Sequence, residues 1–228
     1  MKKTHLLLLG LVITLAIFTL ATVAGRLITP GSAFFPNSFI THSVMLILSV
    51  VALAVLKKHV PFRLAWPRFK TVWKPALFGF LTTVVVNILL AMIGLVAGSK
   101  IEAHPLLTTF TPLQTFLFIF IYASLAEELL LRGFLQNILR PFNDCGVRLL
   151  GRFVSFPVIL SSIVFGLFHL ILLTSGADNL LVVRTVIFTT VLGLFAGYYQ
   201  QKYDNHSYAL IVHMAGNLVG VVVSFIQM

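Results

Sequence analysis

Two adjacent glutamates and an arginine stand out in the segment LAEELLLRGFLQNIL, which runs from Leu125 to Leu139. The chain of 228 residues has six acidic residues, and two of them, Glu127 and Glu128, lie in this apolar stretch with Arg132 close behind. A charged side chain at the centre of a bilayer costs about 2.5–3.5 kcal/mol even on lenient insertion scales. The three charges are therefore expected to face protein or a water-filled cavity rather than lipid.

The spacing of these charges predicts different roles for the two carboxylates. Glu128 and Arg132 are four residues apart, about 40° around a helix, so their side chains can form an ion pair. Glu127 is five residues from Arg132, about 140° around the same helix, and points away from that pair. The pattern predicts that the ion pair braces the structure while Glu127 acts as a general base. A purely structural ion pair that locks helix packing is the alternative interpretation.

Two further segments carry polar residues at one-turn spacing. FGLFH places Phe165 and His169 on one face of a helix, and HMAGN does the same for His213 and Asn217. Together with an unpaired glutamate, these positions predict one site to which three helices contribute. The remaining histidines are interpreted as background because they lie at the ends of the predicted helices or in loops: His5, His42, His59, His104 and His206.

The elements that must position these residues are long apolar segments. The chain is 59% hydrophobic and 10% charged, with a mean hydropathy of +1.03. Seven apolar runs are each long enough to cross about 30 Å of hydrocarbon as a helix. They lie near 6–25, 39–56, 75–97, 113–139, 154–174, 182–200 and 207–227. Continuous runs of this kind do not fit the alternating strands of a β-barrel. They predict an all-α, polytopic transmembrane bundle of about seven helices.

A single membrane domain over residues 1–228 is the predicted domain organisation. Helices 1 to 3, at about 6–97, are predicted to be peripheral, since the first two contain no Asp, Glu, Lys or Arg in their apolar cores. Helices 4 to 7, at about 113–227, hold the polar features and are predicted to form the catalytic core. The first run is longer than the 7–15 residues of a signal-peptide core, so it is interpreted as a retained helix.

The positions of the basic residues predict the orientation in the membrane. The net charge of +10 suits nucleic acid, but twelve basic residues fall in segments on one side of the predicted helices and three on the other. This asymmetry follows the positive-inside rule and predicts a multi-pass plasma-membrane protein with a cytoplasmic N-terminus. Basic loops suit anionic headgroups, so membrane lipids and not nucleic acid are the expected partners. Short loops without a eukaryotic targeting signal favour a bacterial membrane.

The three polar segments, in their order along the chain, resemble a known family. EELLLR matches the pattern E-E-x-x-x-R, FGLFH matches F-x-x-x-H, and HMAGN matches H-x-x-x-N. The ordered set is similar to the CAAX protease and bacteriocin-processing (CPBP or Abi) family of intramembrane endopeptidases, over about 125–220. The helix with Gly193 and Gly197, between the last two motifs, also resembles the family. This small-xxx-small spacing lets a neighbouring helix approach closely.

The resemblance implies hydrolysis of a peptide bond within or beside the membrane, in a CAAX-type, bacteriocin-processing, peptide-processing or immunity role. Carried over by position, the catalytic residues would be Glu127, Glu128, Arg132, His169, His213 and Asn217. The first glutamate would activate a water, supported by the second and by the arginine. The first histidine would help to position that water. The second histidine and the asparagine would stabilise the oxyanion, which is worth about 3–4 kcal/mol per good donor. The substrate would be a peptide or a lipidated peptide.

Other interpretations remain open from the sequence. Glu127, His169 and His213 with a water also form a zinc-ligand set, although the local H-E-x-x-H arrangement is absent. No cofactor is the favoured expectation, because Asn217 suits an oxyanion donor better than a zinc ligand. A proton-coupled transporter would also hold carboxylates and histidines in the membrane, but inverted repeats and broken helices are not found. A non-catalytic membrane scaffold would be expected to lack at least one motif residue.

Overall fold

The computed structural model describes residues 2–96, 98, 109–149 and 151–226. Within these ranges seven helices are long and apolar enough to cross a membrane, which confirms the predicted all-α bundle. The helices are α1 Lys3–Leu27, α2 Asn37–Val55, α3 Phe69–Val96, α4 Pro112–Gln136, α5 Phe156–Ser175, α6 Asn179–Tyr203 and α7 Ser207–Ile226. The predicted runs differ from them mainly at the ends, where polar residues continue a helix or an apolar run outlasts it. His104 lies outside the described residues.

The helix that carries the two glutamates changes its winding along its length. It begins with a capping box, in which the Thr111 hydroxyl accepts a hydrogen bond from the backbone N–H of Gln114. It is π-helical over Thr115–Ala123 and again over Leu129–Gln136, and α-helical over Ser124–Glu128 between them. π-Helical turns are rare and frequently occur at functional sites. The α-helical turn at the centre of α4 is the one that carries both carboxylates.

A short polar connection follows α4. It contains a 3₁₀ turn over Arg140–Phe142 and two antiparallel strands, β1 Gly146–Leu149 and β2 Arg152–Ser155. The strands pair from Gly146↔Ser155 to Leu149↔Arg152. The sequence analysis did not predict this hairpin, because strands of four residues are too short to show a clear alternation. α5 then runs as an α-helix over Phe156–Phe168 and as a 3₁₀ helix over His169–Ser175.

The interior of the bundle centres on α4. Its second half buries a row of apolar side chains against α1, α2 and α5: Leu130, Leu131, Phe134 and Leu135. A second apolar cluster joins α6 to α7 through Leu192, Ala196, Tyr208 and Val212. Outward-facing positions of α1 to α3 expose Leu8, Ile47 and Ile93, as expected for helices that meet lipid. In lipid such helices associate through close packing rather than through the hydrophobic effect.

Two glycines bring α6 close to the charged part of α4. A Cβ atom at Gly193 would collide with the Arg132 guanidinium and would lie 3.1 Å from Ser162 Cβ. A Cβ atom at Gly197 would lie 2.7 Å from Gln136 Oε1. The predicted small-xxx-small contact is therefore present, and it lets polar side chains of α4 lie against the bare backbone of α6.

Candidate active site

The ion pair predicted from the i, i+4 spacing is present. Arg132 Nη1 lies 2.9 Å from Glu128 Oε1, and both side chains are fully buried. Neighbouring helices hold the arginine on its other sides. Its guanidinium carbon lies 4.7 Å from the centre of the Phe165 ring of α5. Its backbone carbonyl accepts a hydrogen bond of 2.8 Å from Gln200 Nε2 of α6. The pair therefore joins α4 to α5 and α6.

Glu127 points away from this pair and lies among histidines. Its Oε1 is 3.3 Å from His42 Nε2 of α2, and its Oε2 is 3.6 Å from His213 Nε2 of α7. One fifth of the Glu127 side chain is exposed, whereas that of Glu128 is fully buried. The two adjacent carboxylates thus have different surroundings, one closed by an arginine and the other accessible.

His213 links the two carboxylates. Its Nδ1 lies 2.8 Å from Glu128 Oε1, while its Nε2 faces Glu127. The carboxylate paired with Arg132 can only accept, so the proton in this contact belongs to Nδ1 of His213. The Glu128–Arg132 pair therefore fixes both the orientation of the imidazole and the nitrogen that is left to face Glu127.

His169 lies where α5 changes from α-helix to 3₁₀ helix. Its Nδ1 is 3.0 Å from the carbonyl oxygen of Phe165, so Nδ1 carries the proton and Nε2 is the acceptor of the neutral ring. The Phe165 ring contacts both imidazoles, with centroids 5.2 Å from that of His169 and 5.4 Å from that of His213. His169 also interacts electrostatically with Glu127. The spacing in FGLFH thus sets one aromatic ring between two histidines.

Asn217 contacts α4 one turn before the glutamates. Its Nδ2 donates hydrogen bonds to Ser124 Oγ at 3.0 Å and to the carbonyl oxygen of Ile119 at 3.4 Å. Both N–H groups of the amide thus have acceptors on α4. The structure places the asparagine against the carboxylate-bearing helix, and an oxyanion role would require one of these hydrogen bonds to open.

His42 is the residue that the sequence analysis left as background and that the structure brings to Glu127. It lies in the second turn of α2, and its side chain is about nine-tenths buried. The sequence could have indicated His42 because it is an ionisable residue within a predicted membrane helix. Such a residue is by default a candidate functional residue. Which face of that helix meets α4 depends on packing that a single sequence does not show.

The arrangement of potential ligand side chains bears on the zinc alternative. Within residues 2–96, 98, 109–149 and 151–226, no group of three His, Cys, Asp or Glu side chains is arranged to hold a metal ion. The second shell would suit one, since ligating histidines usually donate their other N–H to a carboxylate or a backbone carbonyl. His213 and His169 have such partners in Glu128 and Phe165. Binding of zinc would therefore require the Nε2 atoms of His169 and His213 to move closer to each other.

A polar network runs from the ion pair to one end of the bundle. Gln200 Oε1 accepts a hydrogen bond of 2.8 Å from Nδ1 of His206, which lies in the turn between α6 and α7. Burial lowers the pKa of His206 to about 4, with Glu128 opposing this shift and Arg132 adding to it. An open surface pocket lies at this end, with Gln136 and Asn205 in its lining, and Glu127 does not line it.

Comparisons with known proteins bear on the part of the chain that forms this site. Residues 109–219 match the model of a family described as type II CAAX prenyl endopeptidase Rce1-like. The match covers all three motifs and confirms the family resemblance that they carry. No curated protein and no solved structure matches the chain significantly.

Proposed function

We propose, starting from the membership of residues 109–219 in the type II CAAX prenyl endopeptidase (Rce1-like) family, that Glu127 activates the water that hydrolyses a peptide bond in or beside the membrane. The family supports a CAAX-type intramembrane endopeptidase in general. One observation carries the finer assignment. Of two adjacent carboxylates, Glu128 is closed off by Arg132 and His213, whereas Glu127 remains partly exposed and faces His42 and His213.

In the proposed reaction Glu127 acts first as a general base and then as a general acid. Glu127 takes a proton from water, and the water oxygen bonds to the carbonyl carbon of the scissile peptide, whose oxygen becomes an oxyanion. The protonated Glu127 then gives its proton to the leaving nitrogen as the C–N bond breaks, which yields a carboxylic acid and an amine. A positioned general base contributes about 10²–10⁴-fold to such a reaction.

His213 is suited to act beside Glu127 at the water or the oxyanion. Because Glu128 holds Nδ1, the Nε2 atom of His213 is the one that faces the reacting groups. A neutral ring would accept a proton of the water there, and a protonated ring would donate to the oxyanion. Glu128 and Arg132 are positioning residues in this scheme, since they orient the imidazole without facing substrate.

His169 and Asn217 complete the proposed site. The Nε2 of His169 is an acceptor, which suits a second contact with the water. Asn217 supplies an amide donor next to the turn that carries Glu127, since its nitrogen contacts Ser124. We propose that substrate binding draws one N–H of this amide to the oxyanion.

A zinc-dependent protease is the second candidate, and the backbone and carboxylate partners of His169 and His213 favour it specifically. Glu127, His169 and His213 would be the ligands, and zinc would supply Lewis-acid polarisation of the scissile carbonyl. Dialysis of the purified protein against a strong chelator, followed by elemental analysis, separates the candidates. The metal-free mechanism predicts unchanged turnover. Stoichiometric zinc that is lost together with activity, and regained with added metal, would replace that mechanism.

The proposed setting is a plasma membrane, with several membrane crossings and the N-terminus in the cytoplasm. Basic residues concentrated on one side of the helices support this orientation and contacts with anionic lipids. The proposed substrate class is a peptide or lipidated peptide, and the short loops support a bacterial membrane. A bacteriocin-processing or immunity role uses the same chemistry on a different peptide.

Cleavage of defined peptides tests the function directly. The purified protein in detergent is incubated with peptides that end in Cys-aliphatic-aliphatic-X, with and without a prenyl group on the cysteine. Matched peptides that lack this ending serve as the second probe. We expect fragments with wild type and none with Glu127→Gln. A transporter or scaffold would give no fragment from any peptide, and equal fragments from the Glu127→Gln variant would refute the assignment of the base.

A further inference from the structure

His42 is an ionisable residue in a helix that docks through apolar side chains and a serine. The described helix α2, Asn37–Val55, contains no Asp, Glu, Lys or Arg, and it packs against α1 and α4. Met45 and Ala52 are buried in this contact. Ser43 Oγ forms a hydrogen bond of 2.9 Å with the hydroxyl of Tyr122 on α4. Apolar packing and this serine bond dock the helix without His42.

The surroundings of His42 are costly for a merely structural residue. Its Nδ1 is buried and has no hydrogen-bond partner among the described residues. Leaving one polar atom of a buried ring unsatisfied destabilises a fold, whereas an apolar side chain would avoid that cost. The polar contact that the ring does make is from Nε2 to Oε1 of Glu127, across 85 residues of sequence. That contact is what an imidazole offers here and an apolar side chain does not.

From this geometry we infer that His42 is a positioning residue that holds the Glu127 carboxylate in the orientation used for catalysis. The inference rests on the proposed function. An ionised carboxylate only accepts, so the shared proton belongs to Nε2 of His42 and is donated to Oε1. This bond fixes the terminal torsion of Glu127, which is otherwise broad. With Oε1 held, Oε2 is the oxygen that faces His213 and that takes the proton from water.

The test compares three variants. His42→Leu removes the donor and keeps an apolar side chain, and His42→Gln restores an N–H at a similar reach. Ser43→Ala is the matched control, because it breaks the neighbouring polar contact between α2 and α4 without touching Glu127. Misplacing a catalytic group by about 1 Å can cost 10²-fold. On that scale we expect His42→Leu to lower kcat by about 100-fold with KM nearly unchanged, and His42→Gln to recover most of it. Ser43→Ala should keep its kcat.

A second readout follows Glu127 without any substrate. The infrared difference between wild type and Glu127→Gln isolates the carboxylate band of Glu127. Loss of the His42 donor should shift this band in the His42→Leu background. In the Ser43→Ala background the donor remains, and the band should keep its position. Either an unshifted band or a wild-type kcat in His42→Leu would overturn the inference, and so would an equal loss of kcat in Ser43→Ala.

These outcomes separate failure of this inference from failure of the proposed function. If Glu127→Gln is inactive and His42→Leu is fully active, the inference about His42 fails and the function stands. If Glu127→Gln stays active, the proposed base is wrong. The carboxylate band then still decides whether His42 donates to Glu127, and an unshifted band refutes that contact.

Discussion

The adjacent glutamates differ because of where their neighbours lie around α4. Glu128 shares its face with Arg132 one turn later, and the pair is enclosed without exposure. Glu127 lies on the next face, which turns towards α2 and α7 and retains some exposure. A partly exposed carboxylate can meet water and substrate, whereas an enclosed one can only support others. The proposed assignment of Glu127 as base and of Glu128 as brace rests on that difference.

Replacing Glu127 with Gln should abolish measurable peptide cleavage. The rate should fall by at least the factor of about 10²–10⁴ that a general base contributes. The amide keeps the shape of the side chain but cannot take a proton from water. Initial rates on the CAAX peptides, measured beside a detergent melt, check this prediction. A variant that melts with wild type and still turns over at a comparable rate would rule out Glu127 as the base.

Replacing Arg132 with Ala should destabilise the protein by about 3–5 kcal/mol, because it leaves Glu128 as an unpaired buried charge. Arg140→Ala is the matched control. Arg140 pairs with Asp204 at the surface, where both side chains are more than one third exposed, and such pairs contribute about 0–1 kcal/mol.

The comparison of these two arginine variants is made by thermal melts in detergent. Arg132→Ala should melt well below both Arg140→Ala and Glu127→Gln. Equal melting of the two arginine variants would show that Arg132 is not a structural brace.

Residue spacing alone was enough to predict the Glu128–Arg132 pair and the orientation of Glu127 away from it. It could not reveal that His213 bridges both carboxylates or that both N–H groups of Asn217 are engaged by α4. These contacts depend on the rotation of α7 relative to α4. His42 was missed because its contact with Glu127 depends on which face of α2 meets α4. The sequence of α2 is otherwise featureless and does not show that face.

At the scale of elements, the irregular winding of α4 is the main feature that hydropathy did not predict. An apolar run of this length predicts a helix but says nothing about its pitch. The spacing argument assumes α-helical pitch from Glu127 to Arg132, but only Ser124–Glu128 of this stretch keep it. The arginine lies in the following π-helical segment, Leu129–Gln136, and still reaches Glu128. The predicted pair is therefore present although the residues from Leu129 onward do not have α-helical pitch.

Close approach of α6 to α4 should make Gly193 intolerant of a side chain. A methyl group there would collide with the Arg132 guanidinium, and overpacking of this kind costs about 1–3 kcal/mol. Gly193→Ala should lower the melting temperature and also lower kcat, because it displaces the arginine that orients His213 through Glu128.

Gly31→Ala is the control for this prediction, since a Cβ atom at Gly31 meets nothing within 4 Å. Both variants add one methyl group, so only the one that opposes Arg132 should change stability and turnover. Matching melts and rates for the two alanine variants would contradict the close packing of α6 on the ion pair.

At the scale of the whole molecule, polar groups continue from the buried ion pair to the end of the bundle where α6 turns into α7. Gln200 bonds to the backbone of Arg132 and to His206, and the backbone N–H of His206 donates to the carbonyl of Arg63 in the segment between α2 and α3. Asn205 adds two bonds to the backbone of Ala65 in the same segment. The site is thus connected to a polar cap that closes one end of the bundle, and the state of that cap should affect the stability of the whole fold.

The last prediction concerns acid stability and follows from His206 in this cap. Burial holds its pKa at about 4, below the ordinary value of 6.5, so the folded protein keeps the ring neutral where the unfolded chain already binds a proton. The free energy of unfolding therefore falls as the pH drops from about 6.5 towards 4, by up to about 1.4 kcal/mol per pH unit. Above that window the full stability is retained. His206→Asn keeps a donor near the position of Nδ1 and removes the titration. Melting temperatures in detergent between pH 7.5 and 4 should fall more steeply for wild type than for His206→Asn. Parallel curves for the two proteins would show that His206 is not held neutral by the fold.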